Sequence, residues 1–192
     1  MKLIQTSLIA TALAALATGC TIGDQERRYR IFFSETAQAL VPGYRLPDES
    51  QYGPAWAIVE GQYWETRDGS GETKAEFWTS GEFNGDGTVD YAYIVVEGTT
   101  DTRTLFAFLS TDEGYEIEQL AAGFEWGIWL RTRGPGRYAT AASRGIGRDS
   151  PLNVLEFEAQ NQAIDFFQPE GAASSFVWNE ATQSFEQFWI SD

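Results

Sequence analysis

The hydrophobic residues of this 192-residue chain follow a helical period near the N-terminus and a strand-like period further on. In the first part, apolar residues recur at the spacing of one helix face: Tyr29, Phe33, Ala37 and Leu40. We therefore predict a helix that begins with Asp24 as its N-cap and runs to about Val41. Pro42 and Gly43 follow and are typical of a helix end.

From Trp56 onward, short runs of Val, Ile and aromatic residues alternate with clusters of Gly, Asp, Ser and Asn, the pattern of strands joined by turns. The predicted strands are 55–64, 75–80, 89–97, 103–110, 115–120, 127–132, 138–142, 152–158, 163–168, 175–179 and 185–190. Hairpin turns are predicted at 68–71, 111–114 and 179–182. The run 91–96 is apolar on both faces and predicts a central strand, whereas 115–120 alternates and predicts one wet face. The predicted fold class is all-β: a single β-sandwich or incomplete propeller-like domain of about eleven strands with a short N-terminal helix.

A separate apolar run, 8–17, precedes the helix. It has the composition of a signal peptide and is too short to span a membrane. The leader ends in Leu-Ala-Thr-Gly-Cys, which resembles the lipobox of bacterial lipoproteins, in which the cysteine becomes the lipidated first residue. Cys20 is the only cysteine of the chain, and this supports lipidation there. By the sorting pattern of such lipoproteins, Thr21 implies the outer membrane. The alternative is cleavage after Ala17, which gives a soluble periplasmic protein.

The composition excludes several classes of chemistry. There are 28 acidic and 13 basic residues, for a formal net charge of −15 at pH 7. Such a charge repels nucleic acid, so we exclude it as a partner. The chain has no histidine, which removes Ser-His-Asp and Cys-His catalysis and histidine-ligated zinc. Catalysis would then depend on carboxylates, lysine, tyrosine or a metal.

The strongest chemical motif is a run of oxygen donors at alternate positions before the predicted central strand. Its members are Glu82, Asn84, Asp86 and Asp90, with Thr88 placed to offer its backbone carbonyl. Calcium takes six to eight oxygen ligands, and this spacing wraps a short chain around one ion. Gly87 lies where such loops need a positive φ. An EF-hand would need Glu at the twelfth position, which is Tyr93. The spacing predicts a calcium site; the alternative is an ordinary turn rich in Asn, Gly and Asp.

The segment 81–96 resembles the calcium loop of FG-GAP and VCBS-type β repeats, whose usual form is Asp-x-Asn-x-Asp-Gly-x-x-Asp leading into a strand. Glu82 replaces the usual first Asp. More broadly, 47–192 is similar to a family of uncharacterised bacterial secreted proteins and lipoproteins with one such loop. Three closing segments match that family: 163–167, 174–178 and 188–192. The resemblance implies a β domain of the cell envelope and implies no reaction. The chain then divides into a lipoprotein signal peptide (1–19), a lipidated tether with the helix (20–46), and a β domain with the calcium loop (47–192).

Seven tryptophans and many acids also suggest a sugar-binding face, since aromatic rings cover the apolar faces of sugars. Trp126 and Trp129 form the candidate pair; the alternative is that most tryptophans supply buried core area. A pair of carboxylates could hydrolyse a glycoside, and Glu156, Glu158 and Asp165 are candidates for it.

These observations favour a calcium-stabilised, lipid-anchored binding or structural module of the cell envelope without catalytic activity. Its expected partners are the membrane, through the anchor, and a protein or glycan of the envelope. Two alternatives remain open: a carboxylate-dependent glycan hydrolase of the envelope, and an immunity or inhibitor lipoprotein.

Overall fold

The computed structural model describes residues 22–47, 77–98, 100, 102–124, 129–146, 154–167 and 173–191. The predicted leader, strand 55–64 and turn 68–71 lie outside these residues.

The N-terminal helix has three parts. Helix α1 (Ile22–Phe32) continues through one π-helical turn (Phe33–Ala37) into the short helix α2 (Gln38–Leu40). The helix begins before Asp24, so the prediction that Asp24 is its N-cap is wrong. Asp24 lies within the first turn of α1.

The π-helical turn also changes the buried face. Phe33 and Ala37 are buried as predicted, but Leu40 is 39% exposed and Val41 is buried in its place. A π-helical turn contains an extra residue, which rotates the following side chains around the helix axis. A strict α-helical period therefore places Leu40 wrongly.

Five strands form the first sheet, and all of its pairs are antiparallel. They are β1 (Tyr44–Arg45), β2 (Trp78–Gly81), β3 (Asp90–Glu97), β4 (Arg103–Thr111) and β5 (Gly114–Phe124). Strands β1 and β2 pair with opposite ends of β3 along one edge, and β4 pairs along the other. The doubly apolar run is therefore central, as predicted, and β5 is a partly exposed edge strand.

The second sheet has the strand order β11–β10–β9–β6, and a two-stranded ribbon, β7–β8, completes the described strands. Their bounds are β6 (Trp129–Arg133), β7 (Gly136–Ala139), β8 (Glu156–Ala159), β9 (Ala163–Phe167), β10 (Ala173–Asn179) and β11 (Ser184–Ser191). The predicted strand 138–142 is wrong at its C-terminal end. Ala141–Arg144 forms a 3₁₀ turn, which the hydroxyl of Ser143 stabilises by donating to the carbonyl of Thr140 at 2.7 Å.

The two sheets share one core. Ile94 and Ala107 of the first sheet and Ile164 and Phe176 of the second belong to the same buried cluster. At the β2–β6 edge, Thr79 Oγ1 and Thr132 Oγ1 lie 2.7 Å apart. The ribbon packs with the second sheet in a smaller cluster, in which the rings of Phe157 and Phe188 stack with centroids 4.6 Å apart. The prediction of an all-β sandwich with about eleven strands and a short helix is confirmed.

The helix packs on the first sheet through aromatic side chains. The rings of Phe32 and Tyr91 stack with centroids 4.0 Å apart, and the hydroxyl of Tyr93 donates to the carbonyl of Tyr29 at 3.0 Å. Tyr91 and Tyr93 alternate along β3 with Ala92 and Ile94, so they occupy the opposite face of the strand. The first sheet is thus covered on both faces, which explains the doubly apolar pattern of β3.

Candidate functional site

The five predicted calcium ligands lie in the loop between β2 and β3, which we call the Glu82 loop (82–90). Phe83 is fully buried and fixes the start of the loop to the core. A Cβ at Gly81 would lie 2.5 Å from the ring of Phe83, so only glycine fits immediately before the loop.

Side chains within the Glu82 loop bind the backbone of the loop itself. Glu82 Oε1 accepts the N–H of Gly85 at 2.5 Å, and Asp86 Oδ1 accepts the N–H of Thr88 at 2.7 Å. Asn84 Oδ1 accepts the N–H of Asp86 at 3.2 Å. Each bond is local, spanning two or three residues, and is the side-chain-to-backbone turn that Asn and Asp favour. These bonds curl the loop while leaving most of the acceptor capacity of the side-chain oxygens unused.

Two glycines permit this path. Gly87 has φ +82°, as the motif predicts, and Gly85 has φ +85°. Both values lie in the left-handed region that favours glycine.

Asp90 differs from the other four predicted ligands because it is fully buried. Its Oδ2 accepts the N–H of Phe83 at 2.8 Å. Its Oδ1 accepts the N–H of Ser110 at 2.8 Å and the hydroxyl of Ser110 at 3.1 Å. Burial raises the pKa of Asp90, although these bonds act against the rise. A carboxylate has about four acceptor sites, so three donors leave about one, on Oδ2. The main role of Asp90 in this structure is to anchor the Glu82 loop, since its bonds connect Phe83 with Ser110.

By donor chemistry the Glu82 loop fits a hard cation such as calcium, since all of its predicted ligands are oxygens. The ion would be held by side-chain oxygens of Glu82, Asn84 and Asp86, the carbonyl of Thr88 and the remaining acceptor site of Asp90. Among the residues that the structure describes, no three acidic, histidine or cysteine side chains come close enough together to hold a metal ion. The calcium site stays a prediction.

A second segment holds the Glu82 loop from outside. The N–H of Glu82 donates to Gln162 Oε1 at 2.8 Å, and the N–H of Gln162 donates to the carbonyl of Glu82 at 3.1 Å. Asn161 lies against Gly85, where an added Cβ would be 2.8 Å from the Asn161 amide nitrogen. Neither Asn161 nor Gln162 was predicted from the sequence, since a polar pair in a turn gives no signal of such a contact.

Only one residue of the predicted sugar-binding pair, Trp126 and Trp129, lies among the described residues. Trp126 lies outside the described residues, and Trp129 is the first residue of β6. Elsewhere Trp78 is buried in the core, whereas Trp189 on β11 is 50% exposed. The alternative that tryptophans serve the core therefore holds for Trp78 and not for Trp189. The predicted lipidation site, Cys20, also lies outside the described residues.

The three candidate catalytic acids occupy different environments. Glu156 and Glu158 are exposed on β8, and Glu156 pairs with Arg137 at 2.7 Å on the surface. Asp165 is fully buried in the middle of β9 and binds two arginines of β6. Arg131 Nη2 lies 2.9 Å from Asp165 Oδ2, and Arg133 Nε lies 2.7 Å from Asp165 Oδ1.

A third donor reaches Asp165 from the neighbouring strand: the hydroxyl of Ser175 donates to Oδ1 at 2.5 Å. The guanidinium of Arg133 also lies over the ring of Tyr138 at 4.4 Å. A carboxylate has about four acceptor sites, so two arginines and a hydroxyl leave about one for a substrate. A lone acid in an otherwise apolar strand is the sequence signal for such a buried pair.

No helix within the described residues is long and apolar enough to cross a membrane. Comparison of the chain with protein-family models, with curated proteins and with solved structures found no match in any of the three.

Proposed function

We propose that this protein is a calcium-stabilised, lipid-anchored binding or structural module of the bacterial cell envelope that catalyses no reaction. The observation that carries the proposal is the Glu82 loop, which presents oxygen donors at alternate positions directly before the central strand β3.

Calcium would stabilise the fold because the loop joins two paired strands of the first sheet. Glu82 and Asp86 carry like charges in one short loop of a chain whose net charge is −15. A bound cation offsets this repulsion, and ordering the loop also orders the start of a strand that is buried on both faces. The absence of catalysis is supported by Asp165, whose carboxylate already binds two arginines, and by Glu156, whose carboxylate pairs with Arg137.

A thermal-unfolding experiment tests the calcium site. Extracellular calcium modules bind with dissociation constants of about 0.1–1 mM, and the longer Glu82 side chain favours no tighter binding. With a dissociation constant near 0.1 mM and calcium at about 1 mM, the free energy of unfolding should rise by about 1.4 kcal/mol. For a chain of this size that gives a rise in Tm of about 3–6 °C over metal-free protein. Magnesium should substitute poorly, because it demands a smaller octahedral shell.

Two variants make this measurement specific. Asp86→Ala removes a central ligand while leaving Gly87 to make the turn, so it should abolish the calcium-dependent rise in Tm. Asp112→Ala is the matched control, because Asp112 is also exposed in a turn but lies between β4 and β5. It should keep the full rise. A Tm that neither calcium nor chelator changes would reduce the motif to an ordinary turn.

Metabolic labelling tests the lipid anchor. Labelled palmitate should enter the wild-type chain and should not enter Cys20→Ser, which should be recovered in the soluble fraction. A soluble, unlabelled wild type would contradict the anchor and support cleavage after Ala17.

A further inference from the structure

One residue of the turn between β8 and β9 occupies both backbone hydrogen-bonding groups of Glu82. Gln162 accepts the N–H of Glu82 through its side chain and donates its own N–H to the carbonyl of Glu82. The two residues are 80 positions apart in the chain, so the contact is purely tertiary. It connects the Glu82 loop, which leads into the first sheet, with the residue directly before β9 of the second sheet.

The loop and the turn also approach each other closely at two glycines. A Cβ at Gly81 would lie 2.9 Å from Gln162 Oε1, and one at Gly85 would lie 2.8 Å from the amide of Asn161. Only glycine therefore fits at these two positions while the loop and the turn keep their present packing. Beyond the turn, β9 begins with the fully buried Ala163 and contains the buried Asp165.

We propose that the Glu82 loop and Gln162 form a latch between the two sheets, and that a divalent cation bound in the loop closes it. Glu82 is both the first predicted cation ligand and the residue that Gln162 holds. Fixing the Glu82 side chain on an ion therefore fixes the peptide groups on which the latch depends. Without the ion, repulsion between the carboxylates of the loop favours opening, and the residue directly before β9 loses its contact with the loop.

The role of the cation rests on the proposed function, whereas the latch itself rests on the hydrogen bonds just described. These two parts make different predictions for hydrogen exchange, which reports local opening segment by segment. In the wild-type chain, about 1 mM calcium should slow exchange in two segments, 82–90 and 163–167, by up to about tenfold at a dissociation constant near 0.1 mM.

The variant Gln162→Ala should separate the two segments. In chelator, its exchange should be faster than that of the wild type in both. In calcium, 82–90 should still slow, because the ligands remain, but 163–167 should no longer respond. Gln160→Ala is the matched control: it removes the same side chain from an exposed position in the same turn and should behave as the wild type. If Gln162→Ala does not fold, Gln162→Asn keeps the polarity but shortens the reach, and it should give the same separation.

Each contrary result has its own meaning. If calcium slows exchange in 82–90 of the wild type but leaves 163–167 unchanged, the latch is refuted while the proposed calcium site stands. If calcium changes neither segment, the cation's role is refuted together with the proposed calcium site. Equal effects of Gln162→Ala and Gln160→Ala would also overturn the latch, because the bond from the N–H of Glu82 to the Gln162 side chain would then carry no coupling.

Discussion

Asp90→Ala should lower the free energy of unfolding by about 2–4 kcal/mol, whether or not calcium is present. Asp90 is fully buried and accepts three hydrogen bonds, one from Phe83 and two from Ser110. Its carboxylate joins the Glu82 loop to the end of β4. The alanine variant leaves these donors in the protein interior without their acceptor.

The magnitude follows from the donors that remain. A buried donor left without a partner costs about 1–3 kcal/mol, and two backbone N–H groups are affected, those of Phe83 and Ser110. The hydroxyl of Ser110 can rotate toward another acceptor and adds little. The variant also no longer buries a carboxylate whose pKa is raised by burial, and this gain offsets part of the loss. The net change is a large fraction of the 5–15 kcal/mol by which a domain is usually stable.

Urea unfolding in chelator and in about 1 mM calcium measures the effect. Asp90→Asn should give an intermediate loss of about 1–2 kcal/mol, because its oxygen can still face Ser110 while its amide meets the N–H of Phe83. Asp86→Ala is the comparison within the same loop, since Asp86 is exposed. Asp86→Ala should lower the free energy of unfolding by about 0.5–1 kcal/mol in chelator. It should also remove the rise in the free energy of unfolding that calcium causes.

The reasoning would be refuted if Asp90→Ala stayed within about 0.5 kcal/mol of the wild type, the range of ordinary surface changes. It would also be refuted if Asp86→Ala cost more than Asp90→Ala in chelator. In either case the buried carboxylate would not anchor the loop.

Two further predictions concern other charged groups. Burial raises the pKa of Glu118, against the opposing effect of the bond that it accepts from the N–H of Phe185 at 3.1 Å. The carboxyl of Glu118 therefore binds a proton more tightly in the folded state than in the unfolded state. Its contribution to stability is present at low pH and is lost as the pH rises through the folded-state pKa. Glu118→Gln should remove this pH dependence of stability while keeping an oxygen that accepts the N–H of Phe185. If the pH profile of Tm were the same in Glu118→Gln as in the wild type, this prediction would be contradicted. Asp165→Ala should cost about 2–3 kcal/mol in urea unfolding, because it removes the buried carboxylate that Arg133, Arg131 and the hydroxyl of Ser175 all contact. A loss below about 1 kcal/mol would show that water replaces the carboxylate.

The sequence alone determined the elements that depend on local periodicity and turn chemistry. The run 91–96 is apolar on both faces, and it forms the buried strand β3. The turn predicted at 111–114 joins β4 and β5, with Thr111 paired to Gly114. Such features follow from side-chain alternation and from the backbone preferences of turn residues. Both depend only on residues a few positions apart in the sequence.

The Glu82 loop lies between the two cases. Its internal bonds, such as that from Thr88 to Asp86, span two or three residues and follow from the spacing of Asn and Asp. The same spacing predicted Asp90 as the fifth calcium ligand and gave no sign that it anchors the loop. Its burial and its bonds to Ser110, twenty positions away, became visible only when β3 and β4 were paired.

Contacts between the sheets were decided by the tertiary structure. Asp165 meets Arg131 and Arg133 because β6 pairs with β9 in one particular register, and Gln162 meets Glu82 because the turn before β9 lies against the loop before β3. The pairing and register of strands that lie far apart in the chain depend on the summed burial of many apolar side chains in one core, because no tight turn joins such strands. The sequence therefore predicts which segments are strands. Which charged and polar residues meet across the sandwich depends on how the core packs.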